Sequence, residues 1–149
     1  MLAPRHVRLF LSLRGARLLL LEAVAALAWA RLRVRGQPFR KVAARLGQQG
    51  TETPCCVAPL QAADALRIGS AVRAVADHLP WECLCLVQAV AVMTMLRRRR
   101  ISGTLYLGVG LDTKSSVAAH AWVRCGDHVV VGGGNLDRFR VVERYGTPP

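Results

Sequence analysis

The chain is short of acidic residues, of lysine and of aromatics, and each shortage narrows its function. Only 9 Asp and Glu stand against 21 Lys and Arg in 149 residues, a formal net charge of +12. That balance favours acidic partners: nucleic acid, an anionic surface or an acidic peptide. Of the basic residues 19 are Arg and 2 are Lys. With abundant Ala, Gly, Val and Leu, this is the skew of a GC-rich coding sequence, which weakens any inference from the arginine count. Aromatics are 5% of the chain, too few for the stacking platforms that accompany charge in RNA-binding proteins, so nucleic acid is not the expected partner.

Also missing is an apolar run of the roughly 20 residues that a membrane span needs. The stretch LLLLEAVAALAWA after several arginines has the outline of a secretory signal. Glu22 interrupts it and the basic lead-in is long, so the expected location is cytoplasmic, with no stable membrane span. Five cysteines, Cys55, Cys56, Cys83, Cys85 and Cys125, form no ordinary disulfide framework. Free thiols in a reducing compartment are the simpler reading. Zinc is not expected either. Cys83 and Cys85 are one residue apart where zinc ligands take two to four, and His120 and Cys125 complete no second pair.

What is present is a core-forming sequence, 52% hydrophobic. Residues 7–34 read as one or two helices, with Leu18, Leu21, Val24, Ala25 and Ala28 as the apolar face. Pro38 opens a short helix through Leu46, GQQGTETPCC at 47–56 has the composition of a linker, and a further helix runs from about Pro59 to Leu79. Leu86–Arg99 is apolar nearly all round and ends in four arginines, as expected for a buried helix whose cations face the negative end of its dipole. Three strand-like runs follow, TLYLGV, VAAHAWVR and DHVVV, with a turn at Gly126-Asp127. The order predicts an α+β fold in which residues 1–50 form an N-terminal helical segment and 51–149 a core, the two together one compact unit.

The chemistry gathers around WECLCLVQA, residues 81–89. Cys85 falls at the start of the buried helix, where unsatisfied N–H groups favour a thiolate and can hold an oxyanion. A nucleophile needs a base, and His120 lies mid-strand in AHAWV. Either residue alone is more often a core side chain. With a two-residue turn at Gly126-Asp127, Arg124 pairs with Val129, Trp122 with Val131 and His120 with Gly133, so no carboxylate faces the ring. Asn135 and Asp137 share its face further along, with Asp127 a weaker candidate. Asp137 is favoured as third member over Asn135, and a two-residue Cys-His site is the remaining option. Gln88, one turn into the helix, is a candidate for binding the scissile carbonyl. Trp81 and Trp122 are candidate cleft walls.

The block W-x-x-x-C-L-x-Q-A from Trp81 to Ala89, followed by LYLGV (105–109) and AHAWV (119–123), resembles the leader peptidases of lasso peptide biosynthesis. These are cysteine proteases of the transglutaminase-like superfamily. The likeness spans about residues 15–145, including PFRKVAARLG at 38–47. It implies a papain/transglutaminase-like core with a Cys-bearing helix packed on a small antiparallel sheet. It implies that Cys85 is the nucleophile and His120 the general base, without a cofactor. The family removes the leader of a ribosomally made precursor peptide. A separate ATP-dependent lasso cyclase resembling asparagine synthetase then closes the ring. With no room for a recognition domain before the first helix, the chain is similar to the split type, which uses a separate small leader-recognition protein. The family's third residue, usually Asp, falls on Gly132 here. That departure motivates a second reading, a catalytically weak or inactive scaffold that delivers precursor to the cyclase.

Overall fold

A computed structural model describes residues 5–111, 114 and 116–147, with side chains from residue 14 onward. Helix α1 spans Arg5–Gly36 and α2 spans Phe39–Leu46. A two-residue strand, β1 (Gln48–Gln49), precedes α3 (Pro59–Ala76) and α4 (Cys85–Arg98). Strands β2 (Thr104–Leu111), β3 (Val117–Cys125), β4 (His128–Val131) and β5 (Phe139–Gly146) follow, with a 3-10 turn at Leu136–Arg138. The fold is α+β: four helices and an antiparallel five-stranded sheet in the order β1-β5-β2-β3-β4.

Helix α4 is the spine. Val87, Ala89 to Met93, Met95 and Leu96 are all buried, because α1, α3 and β3 all pack against the helix. Each such valine, leucine or methionine contributes about 1.5–3 kcal/mol by leaving water, which is why an all-round apolar helix belongs here and nowhere on the surface. From the sheet, Leu105, Ala121, Val123 and Cys125 meet it, and Tyr145 of β5 closes the same core. Helix α3 buries Ala65, Ile68 and Val72 at helical spacing, with Val75 half-buried on the same face. Its Gly69 allows close approach: a Cβ there would collide with the Val130 carbonyl of β4.

Three expectations are corrected. The leucine row of α1 faces outward, Leu18 and Leu21 each being 66% exposed, and Ala25 is exposed too. The buried row is Ala23, Ala26, Leu27 and Ala30. Small side chains let α1 lie close against α3 and α4, and contact over many atoms outweighs the larger area of a few leucines. The supposed linker holds β1, whose Gln48 and Gln49 pair with Gly146 and Tyr145. Finally, the sheet extends beyond the three expected strands. Strand β5 returns to the far side of β2, pairing Leu105 with Tyr145, so the polypeptide crosses the sheet after β4. Both N-terminal helices share one core with the rest, through residues from Ala23 to Leu46. Among the described residues no helix is long and apolar enough to cross a membrane.

Candidate active site

The register of β3 against β4 decides the site. Arg124 pairs with Val129 as the turn predicts, but a bulge between Val123 and Arg124 then sets Val131 opposite Val123 instead of Trp122. The ladder stops there. Gly132 leaves the strand at φ +75°, and a Cβ at this position would meet Trp122 Cβ at 2.8 Å. Only glycine takes that conformation in that space without strain. Residues 117–122 of β3 therefore have no ladder partner in β4, and Gly132 itself lies against Ala121 and Trp122.

His120 shares a strand face with Trp122 and Arg124, opposite the Ala121, Val123 and Cys125 row that packs on α4. Its ring lies between two aromatics, with centroids 6.0 Å from Trp122 and 4.9 Å from Phe139. Its Nε2 is 2.7 Å from the carbonyl oxygen of Gly132. A carbonyl only accepts, so Nε2 carries the proton and donates it, which leaves Nδ1 as the basic nitrogen. The position where a carboxylate was expected thus supplies a partner for the histidine, by backbone rather than side chain.

Cys85 is the first residue of α4, after Leu84 as cap. The first helical bond runs from Gln88 N–H to the Leu84 carbonyl, so the N–H groups of Cys85, Leu86 and Val87 precede the helical ladder. Cys85, Gln88 and His120 line one cleft of about 300 Å³ with Arg73, Val131, Gly132 and Gly133. Among the described residues Cys85 and His120 make no hydrogen bond to each other; they face a shared space rather than touch. Gln88 Nε2 donates to the Cys83 carbonyl at 2.9 Å, which spends one of its two N–H donors and holds the amide beside the cleft.

The other cysteines differ in setting. Burial pushes the Cys83 thiol up, against a smaller opposing pull from the Trp81 indole and Arg31. Burial likewise raises Cys125. Both are poorer thiolates than an ordinary cysteine, and neither lines the cleft. All five thiols are free.

Asp137 and Asn135 lie on the turn after β4, both exposed. Among the described residues neither bonds to His120; the turn at Gly132 carries the chain away before either reaches the ring. Asp127 occupies the β3–β4 turn, 3.3 Å from His128 Nε2. Trp81 is set away from the cleft, with the Arg31 guanidinium over its ring at 5.7 Å. Trp122 is buried, stacked on Tyr106 at 5.5 Å and backing His120.

Three features escaped the sequence: the Gly132 carbonyl, Phe139 against the ring, and Arg73 in the cleft, held to the Val130 carbonyl at 3.3 Å. The VGGGN glycines were the signal for the first, since a positive φ re-aims a carbonyl. The other two arise from contacts between distant segments and leave no local trace.

Together these groups offer a thiol at a helix N-terminus, an oriented imidazole and unspent N–H donors around one cleft, the parts of nucleophilic acyl transfer. No curated protein and no solved structure matches the chain. A sequence profile of the transglutaminase-like superfamily covers residues 23–144, from within α1 almost to the end of β5. The chain, with its cysteine-headed helix against an antiparallel sheet, belongs to the transglutaminase-like superfamily, which includes cysteine-dependent enzymes.

Proposed function

We propose that the protein is a cysteine endopeptidase acting as the leader peptidase of lasso peptide biosynthesis. The supporting observation is the shared cleft of Cys85 and His120, with the imidazole oriented by the Gly132 carbonyl. In this reading His120 Nδ1 takes the Cys85 proton and the thiolate attacks the scissile carbonyl. The first-turn N–H groups and the second Gln88 N–H receive the oxyanion. The intermediate collapses to a thioester as the leaving amine takes the proton from His120; water then hydrolyses the thioester and restores the thiol. The freed amine is the one that a separate cyclase would join to an Asp or Glu side chain. The proposed partners are the precursor peptide, a small leader-recognition protein and that cyclase, all in the cytoplasm. Asp137 and Asn135 are assigned a lesser part than the Gly132 carbonyl.

The test is reconstitution: purified protein, precursor and recognition protein, followed by mass spectrometry. Leader removal is expected and Cys85→Ala is expected to abolish it; normal cleavage by that variant sinks the proposal. A second reading, an inactive scaffold, is favoured by the lack of a Cys85–His120 hydrogen bond and of a carboxylate on the ring. Alkylation separates the two. A catalytic Cys85 is labelled well ahead of Cys83 near neutral pH, whereas an inert thiol shows no such preference.

A further inference from the structure

The arginines of this protein are not equivalent. Arg99 makes a two-point pair with Glu22, at 2.9 and 2.6 Å, and Arg98 stands 3.6 Å from the same carboxylate. Arg144 and Arg124 are gathered on Glu52, at 3.0 and 3.9 Å. By contrast Arg40, Arg45 and Arg97 form no ion pair among the described residues. All three line a single cleft of about 520 Å³ between α2, β1 and the C-terminal end of α4.

The rest of that cleft is built to donate. Tyr145 is only 3% exposed, yet its hydroxyl makes no hydrogen bond among the described residues, and the residue lines the cleft. The phenol adds one more donor at the cleft surface. Gln48 and Gln49 complete the polar wall. No carboxylate lines it, although Glu143 lies close by, taking a hydrogen bond from Gln49 Nε2 of the wall at 2.5 Å and acting on the Tyr145 phenol. Guanidinium groups and a phenol donor match carboxylates.

We propose that this cleft is an exosite for an acidic segment of the peptide substrate, with Arg40, Arg45 and Arg97 as the carboxylate ligands and the Tyr145 hydroxyl as a further donor. The assignment of a peptide occupant rests on the peptidase reading above. Its placement fits that role. Cys85 and Arg97 sit at opposite ends of α4, about 18 Å apart along its axis at 1.5 Å per residue. Because α4 is buried along its length, the connecting segment runs round the surface and is longer than the roughly six extended residues that the axial distance alone would take. A segment anchored at the arginines therefore raises the local concentration of the scissile bond at the thiol.

The experiment uses the full chain and a fluorescently labelled short oligoglutamate, read by anisotropy at low salt. Wild type is expected to bind it. Arg40→Gln/Arg45→Gln/Arg97→Gln is expected to weaken binding by roughly tenfold or more, and Tyr145→Phe by about threefold. The control Arg17→Gln/Arg35→Gln/Arg67→Gln removes the same charge from exposed positions elsewhere and is expected to stay within about twofold. Melting curves confirm folding, and Arg45→Gln alone, at an exposed position, preserves the test if the triple variant unfolds. Failure of wild type to bind, or equal weakening in the control, overturns the exosite. Tighter binding of a short oligothymidylate that is lost in the same triple variant also overturns it, in favour of a phosphate ligand. Cys85→Ala is expected to bind oligoglutamate normally. The exosite thus stands or falls separately from the peptidase chemistry.

Discussion

The two ends of α4 are opposites. Its N-terminal end presents Cys85 to an open cleft, with no side chain bonded to the thiol among the described residues. Its C-terminal end is fastened: Arg99 and Arg98 converge on Glu22 of α1, while Met95 and Leu96 are wholly buried. One helix therefore carries reactivity where it is least constrained and stability where it is most. The ion pairs and buried side chains at one terminus hold α4 in place while the other terminus faces the cleft.

The comparison breaks most sharply at the thiol. Cys85→Ala should reduce precursor cleavage by roughly a thousandfold or more, with an unchanged urea midpoint. A large stability loss would instead mark Cys85 as a core residue. Gly132→Ala should come next. The left-handed conformation and the contact with Trp122 should cost about 2 kcal/mol in urea unfolding and lower the cleavage rate, because the carbonyl that holds His120 moves.

At the fastened end Glu22→Gln should cost about 1 kcal/mol at neutral pH and leave the cleavage rate unaltered. The hydrogen bonds from Arg99 hold the Glu22 carboxyl below its ordinary value of 4.5, with burial opposing. A depressed carboxylate pKa gives stability that is present above the unfolded value and lost as pH falls through the lower folded one. The gap between wild type and Glu22→Gln should therefore start to narrow below pH 4.5 and close as pH falls through the lower folded value, in urea melts at stepped pH. The smallest effect is expected at Asp137→Asn, within about twofold of wild-type cleavage. A large drop there would give Asp137 the place assigned to the Gly132 carbonyl.

Much of the fold is legible in the residues. The apolar run after Cys85, the proline at Pro59 and the turn at Gly126-Asp127 mark α4, α3 and the β3–β4 hairpin, because each depends on local spacing or turn chemistry. The α1 face was not legible. Hydrophobicity selects Leu18 and Leu21, whereas packing selects Ala23, Ala26 and Ala30, and only the neighbouring helices reveal how close α1 must come. Strand β5, FRVVERYG, has valines on successive positions and charges between, so alternation does not announce it; pairing with β2 creates it.

The helix order, a cysteine at the start of the buried helix and a histidine on a following strand are readable from the residues alone, since these follow from periodicity and residue type. The tertiary structure alone decided that a bulge at Val123 shifts the register and that Gly132 turns its carbonyl onto His120. It also decided that three unpaired arginines from α2 and α4 meet at one cleft. A ladder register and a convergence of distant side chains are properties of packing between segments, and no single segment encodes them.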